Sequence, residues 1–311
     1  MHLPPAPLQL IDYGIADGGT ALDFWERTLT TIRDRNNRPI TLVGNDLPEN
    51  PHQDLALNLS RLQQHTNDLK VFIAPVSFYE QVVDDQTADL GFSATAMHWL
   101  SRVPGNLRSH IHANSAQDKE REVFRQQALD DFEQLMIQRA HELKPGGQLV
   151  LVNLAEADDQ QSLGKNHHDR PMFDYMQAFF REALQEVGAS EAILADTAFQ
   201  NFYKRKADFA EVLARPSLRD TFRLVDHRIE HTPCPYRQRF DEDGDAAAFS
   251  VGLMKTIRSW SRHTFLTALR KHEADLTLAD ALYERMQAAF ASDPATYSMD
   301  YIHSFLHLEK H

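Results

Sequence analysis

Short apolar runs alternate with stretches of helical periodicity along the first half of the chain. Leu8 to Tyr13 (LQLIDY) reads as a strand ending at Gly14. A helix is expected from Thr20 to Asn36, where Leu22, Trp25, Leu29 and Ile32 recur at helical spacing. Ile40 to Gly44 is a second strand, Leu55 to Leu62 a helix, and Lys70 to Ile73 and Ala88 to Phe92 two further strands. Phe124 to Leu143 carries a long helical pattern, with Pro145-Gly146-Gly147 expected to stop it. Gln148 to Leu154 (QLVLVNL) is the strongest strand pattern of all. Beyond it, 156–171 reads as a polar loop and 172–215 as mostly helical. Then come a strand (Phe222 to Glu230), two helices (Ala246 to Arg270 and Leu276 to Ala291) and a last strand (Tyr301 to Leu308). Strands separated by helices imply crossover connections and a parallel sheet covered on both faces. In such a sheet ligands bind at the carboxyl ends of the strands.

Composition narrows the classes. The 311 residues carry 32 Lys and Arg against 45 Asp and Glu, a formal charge of −13, which argues against a nucleic-acid or anionic-membrane binder. A single cysteine, Cys234, rules out a disulfide framework or thiolate zinc cluster within one chain. No apolar run approaches the ~20 residues of a membrane helix. The opening MHLPPAP has neither the basic nor the apolar region of a signal peptide, so a cytoplasmic protein is expected.

The strand ends hold the candidate chemistry. Ile11 to Thr20 reads IDYGIADGGT, an Asp-x-Gly-x-Ala-x-Gly skeleton. Small residues there let backbone pass close to a ligand. The spacing differs from the dinucleotide fingerprint, and Asp12 and Asp17 would repel a pyrophosphate and suit a cation. A Gly-rich turn without a ligand is the alternative. After the second strand, Asp46 in Gly44-Asn45-Asp46-Leu47-Pro48 could accept both hydroxyls of a ribose, although Asn-Asp before Pro also suits a plain turn.

Four blocks, in order, carry a resemblance: Ile11 to Gly18; Asn45-Asp46-Leu47-Pro48; Val76-Ser77-Phe78-Tyr79; and His98-Trp99-Leu100-Ser101-Arg102-Val103-Pro104. A weaker fifth runs from Asp130-Asp131-Phe132 through Arg139, Glu142 and Pro145-Gly146-Gly147. Together they resemble the SABATH carboxyl methyltransferases, the salicylic/benzoic acid type. The match is good over residues 8–155 and loose beyond. It implies an α/β fold of the class I methyltransferase (Rossmann-like) kind, with a mainly parallel seven-stranded sheet and a partly helical cap. The expected division is a cofactor-binding core at 1–155, a loop and helical lid at 156–215, and the rest of the core with a helical insertion at 216–311.

The resemblance implies S-adenosyl-L-methionine as cofactor and a small aromatic, indole or isoprenoid carboxylic acid as substrate, with a homodimer as the assembly. It puts Asp46 on the ribose, Leu47 against the adenine and Ser77 and Phe78 beside it. Asp12 and Gly14 fall near the methionine end, and Ser93 joins the cofactor set. Trp99 donates its indole N–H to the substrate carboxylate, with His98 beside it and Phe202 and Tyr203 on the acid side. No metal is implied. The family also carries an upstream segment that closes the site and supplies a Gln to the carboxylate. The seven residues before Leu8 do not contain it, and Thr20 stands where the family has Asn. Two alternatives follow: N-methylation of a heterocycle, or cofactor binding without turnover. Asp241 to Asp245 reads as an acidic turn, since the calcium-loop spacing fails. His167-His168-Asp169 has no spaced partner, and His303, His307 and His311 fit a terminal strand and tail.

Overall fold

A computed structural model describes residues 6–50, 52–66, 68–159, 162–164, 170–297 and 299–311. His167-His168-Asp169 lies outside them. The first half runs β1 (Leu8–Tyr13), α1 (Leu22–Arg33), β2 (Ile40–Asp46), α2 (His52–His65), β3 (Leu69–Pro75), β4 (Ala88–Ala94), α3 (Asp118–Glu142) and β5 (Leu143–Leu154). The second runs α4 (Met172–Glu186), α5 (Ala192–Ala195), α6 (Lys206–Leu213), β6 (Phe222–Thr232), α7 (Pro235–Asp243), α8 (Ala246–Lys271), α9 (Thr277–Ser292) and β7 (Tyr301–Lys310).

The strands form one seven-stranded sheet in the order β3-β2-β1-β4-β5-β7-β6. The β1–β2, β2–β3, β1–β4 and β4–β5 pairs are parallel, while β7 runs antiparallel to both β5 and β6. The chain reverses its direction of travel across the sheet between β1 and β4, and a crevice opens at such a point. Strand alternation sorts the core. Leu10, Leu42 and Phe92 pack with Trp25 and Leu29 of α1 and Leu55 and Leu59 of α2. Ile11, Val43, Leu149 and Leu151 pack with Phe132 and Met136 of α3 and Phe209 of α6. A separate cluster joins α4, α5, α8 and α9 through Phe180, Ile193, Phe265 and Leu282.

The long helix stops at Glu142, one residue short of the expected Leu143, but the stop is not made by Pro145-Gly146-Gly147. Leu143 is fully buried and already extended, pairing with Ala88. Sheet pairing takes over there, and the residue before a proline avoids helical geometry in any case. Residues 144–147 instead bulge out of β5, the register jumping from Ala88↔Leu143 to Leu90↔Gln148, with Gly146 at φ +78°. Among the described residues, no helix is long and apolar enough to cross a membrane.

One buried ion pair ties helix to crevice. Arg139 and Glu142, both with no exposure, pair at 2.7 Å. Arg139 also donates to the carbonyls of Phe78 and Glu80, at 2.8 and 2.9 Å. Glu142 accepts from the Tyr13 hydroxyl at 2.6 Å and from the Val82 backbone N–H. The guanidinium lies 4.1 Å from the Tyr13 ring centre. Both Glu142 oxygens and both terminal guanidinium nitrogens of Arg139 are thus hydrogen-bonded, which offsets the cost of burying the two charges. The loop after β3 is fixed to α3 and β1 as a result. Glu142→Ala strands the guanidinium and is expected to lower unfolding stability by about 3–5 kcal/mol. Urea titration checks this, and a loss below about 1 kcal/mol would contradict it.

Candidate active site

A cavity of about 880 Å³ lies over the carboxyl ends of β1, β2 and β4, within the size range of small-molecule sites. Its floor is the turn after β1. The Gly14 and Ile15 amides both donate to the Asn45 carbonyl, at 2.9 and 3.0 Å, which seals β1 to β2. Asn45 is itself buried, and its side-chain amide donates to Ala74 and Val76 at the end of β3. Gly14 sits at φ +75°, and a Cβ there would lie 2.4 Å from that of Ala96. Only glycine lets the chain turn this tightly at the cavity floor.

Two acids face this floor. Asp12 is 3 % exposed and accepts the Trp25 indole N–H on Oδ2 at 2.6 Å. No hydrogen bond to its Oδ1 occurs among the described residues. Burial, opposed by the Trp25 bond and reinforced by nearby Asp46, raises its pKa from 3.8 to about 7. Asp46 is bound on Oδ2 by the Ala16 amide at 2.5 Å, and on Oδ1 by the Leu47 amide at 2.7 Å and the Asn50 side chain at 2.6 Å. Leu47 stands beside it in the cavity lining, 44 % exposed, an apolar surface waiting for a partner. Ser77 and Phe78 form the wall that the Arg139–Glu142 pair anchors.

Opposite stands Trp99, half-buried and lining the cavity. Its main chain is clamped: its amide donates to Ala96, its carbonyl accepts the Tyr79 hydroxyl at 2.5 Å, and Asn201 bridges it from the other side. Ser101 next along is held twice by Asp131, at 2.8 and 2.6 Å. Among the described residues nothing accepts a hydrogen bond from the Trp99 indole N–H. It is a fixed, neutral donor on the cavity wall.

The cavity therefore gathers Asp12, Gly14, Asp46, Leu47, Ser77, Phe78 and Trp99. Four other expected residues lie outside its lining. Ser93 is buried and spends its hydroxyl on the Tyr13 carbonyl at 2.8 Å, locking β4 to β1. His98 is buried behind Trp99, and burial first, then Lys204, pushes its pKa down to about 3, so the imidazole is neutral. Phe202 packs with Leu107 and Phe124, and Tyr203 with the aromatic cluster of the α4–α8–α9 core. Gln200, two residues before Phe202, does reach the cavity. Sequence reasoning missed Asn50, Tyr79, Ser101, Gln200 and a face of α8. Asn50 carries no signal beyond following the Asn45–Pro48 block, and Gln200 none beyond its nearness to Phe202 and Tyr203. Asp241 to Asp245 proves to be a helix junction: Gly244 closes α7 at φ +68° and Asp245 caps α8 by accepting from Ala248.

Sheet order, crevice and paired acids define a nucleoside-cofactor-binding α/β protein. The profile of the SAM-dependent carboxyl methyltransferase family matches residues 1–311, and the chain belongs to that family. The methyltransferase LUC1 of a Fusarium species is 34 % identical over 158 residues, 49 % of this chain and 40 % of that protein. Indole-3-acetate O-methyltransferase 1 of Arabidopsis thaliana is 26 % identical over 176 residues, 48 % of this chain and 46 % of its own. The matched stretch thus spans less than half the length of these relatives. A solved structure of loganic acid methyltransferase with SAH superposes at a TM-score of 0.74 with 17 % identity, covering 99 % of this chain and 85 % of the other. The class I methyltransferase fold expected from sequence is confirmed.

The protonation of Asp12 gives a signed pH test. Its pKa is raised on folding, so between about pH 4 and 7 the folded state holds a proton that the unfolded state has lost, and this group's contribution to stability declines as pH rises through that window. A cation bound beside it reverses the preference and expels the proton. S-adenosylhomocysteine, with its ammonium, should then bind several-fold tighter at pH 8 than at pH 6, and calorimetry at pH 6.5 should show a buffer-dependent heat of proton release. Asp12→Asn should abolish both effects; a wild-type affinity as flat as the variant's would contradict the assignment.

Proposed function

We propose that the protein methylates the carboxylate of a small acid, using S-adenosyl-L-methionine. The supporting observation is the juxtaposition of an acidic, glycine-turned floor with the free indole donor of Trp99 in one cavity. The floor fits the cofactor. Asp12 keeps an unbonded oxygen for a cationic group, Gly14 leaves room where a Cβ would clash, and Leu47 and Phe78 offer apolar faces for a purine. Asp46 holds the ribose. A carboxylate has about four acceptor sites, and three are already taken, so one hydroxyl bonds directly and the second displaces the Asn50 amide.

When bound, the cofactor supplies an electrophilic sulfonium methyl. The protein's part is alignment. A carboxylic acid is ionised at neutral pH, so its oxygen attacks without a general base. Trp99 holds the other oxygen through one neutral N–H, which orients the nucleophile and leaves its charge available. An arginine fork would bind it bidentately and more tightly. Correct placement of the two reactants is worth on the order of 7–11 kcal/mol of barrier. Half-buried Tyr79 and buried Asp131 keep the Trp99–Ser101 segment in position, and His98 backs the indole as a neutral ring with centres 5.7 Å apart. The reading includes a homodimer, which the resemblance supports, and a cytoplasmic setting, which the acidic single-cysteine composition supports.

Incubation with methyl-labelled cofactor and a panel of benzoic, salicylic, indole-acetic and isoprenoid acids, together with hydroxy and dicarboxylic acids, is expected to give a labelled methyl ester from at least one member; label on nitrogen of a heterocycle, or on no acid of the panel, would contradict the proposal. Asp46→Ala should weaken cofactor binding by about tenfold or more, the loss of a charged acceptor costing ~1.5–3 kcal/mol. Trp99→Phe should cut kcat/KM for the acid by a similar factor and leave cofactor affinity unchanged; equal kinetics would remove Trp99 from the carboxylate.

A further inference from the structure

The wall of the cavity formed by α8 and the 195–200 segment is largely polar. From α8 come His263, Thr264, Thr267 and Lys271, which follow helical spacing and line the cavity together; the segment adds Asp196 and Gln200, with Ala195 and Ala198 as its apolar members. The cap's aromatic side chains, which would suit a benzenoid or isoprenoid tail, are consumed elsewhere. Phe173 stacks on His112 at 3.8 Å, meets Phe199 at 5.0 Å and packs against Trp260 at 5.9 Å, and none of the four lines the cavity.

The polar wall is also organised. Asp196 is held by Lys271 at 2.9 Å and by His272 at 2.7 Å, so it keeps a hydrogen-bond partner if Lys271 is shared with another anion. Gln200 is fixed by its amide nitrogen on the Leu100 carbonyl at 2.7 Å, while its oxygen has no partner among the described residues. One fixed acceptor at Gln200, a hydroxyl at Thr264 and the Asp196-paired cation of Lys271 thus line the same cavity as Trp99. An apolar tail there would strip water from these groups and return nothing; a tail with its own polar groups would replace that water.

Resting on the carboxyl-methylation reading, we propose that the acid methylated here carries a hydrogen-bonding group, a hydroxyl or a second carboxylate, at the end remote from the reacting carboxylate, and that Gln200, Thr264 and Lys271 select for it. The protein is then a methyltransferase of hydrophilic acids and produces the mono-ester of a hydroxy or dicarboxylic acid.

Matched acids test this on two scaffolds: hexanoate against 6-hydroxyhexanoate and adipate, and phenylacetate against its 4-hydroxy and 4-carboxy derivatives. On at least one scaffold a polar-tailed acid should exceed its parent by about tenfold in kcat/KM. The double variant Thr264→Val with Lys271→Met should bring the pair within about twofold by raising KM for the tailed acid alone, with S-adenosylhomocysteine affinity unchanged. Preference for the carboxyl-tailed acid assigns the contact to Lys271, and preference for the hydroxyl-tailed acid assigns it to Gln200 and Thr264. Parents turned over as well as or better than both derivatives on both scaffolds, or a double variant that keeps the preference, overturns this inference and leaves carboxyl methylation standing. If no acid is methylated and none binds the S-adenosylhomocysteine complex, both fall.

Discussion

Asp12 is a carboxylate withdrawn from water at the floor of a cavity, with one oxygen on an indole and no ion-pair partner among the described residues. A charge in that position is costly until a positive group arrives. Asp46, close enough to raise the Asp12 pKa further, makes the floor still less hospitable to a phosphate. The pair therefore defines the ligand by exclusion as much as by attraction. A nucleoside with a positive centre relieves the strain, and one bearing a pyrophosphate adds to it. The family to which the chain belongs uses such a cofactor.

The rest of the fold holds this floor and the opposing donor at fixed separation. Asn45 ties the turns after β1 and β3 to β2, the Ser93 hydroxyl fastens β4 to the Tyr13 carbonyl, and the Arg139–Glu142 pair clamps the loop carrying Ser77 and Phe78. Tyr79 reaches from that same loop to the Trp99 carbonyl, so both walls share one support. Much of the buried polar chemistry thus acts at one remove from the reacting groups. It restricts where they stand, which is what an alignment mechanism demands.

The strands and the first-half motifs were legible because β1, β2 and β5 carry short, mostly apolar runs with few exposed positions, and because strand ends in such sheets are where ligands bind. The direction of side chains was not. Phe202 and Tyr203 lie beside a segment that lines the cavity, yet both turn into packed clusters; Gln200, two residues away, turns out. That choice depends on Asn114, which pins the Tyr203 backbone from a distant loop, and local pattern does not contain it. Ser93 and Asn45 read alike as polar residues at strand ends, and only pairing geometry shows that they serve the sheet. The helix ends within a residue of its expected end, but for a related reason and not through the glycines: burial of Leu143 in the sheet outweighed local turn chemistry. The short helix α7, polar and without a clear apolar face, left no periodic trace to follow.

The most direct test of the charge argument is a calorimetric comparison of S-adenosylmethionine, NAD and ATP on the same preparation at neutral pH and low salt. Saturable binding of S-adenosylmethionine with no detectable heat from NAD or ATP is the predicted result. Binding of either phosphate-bearing nucleotide in preference to S-adenosylmethionine would contradict it.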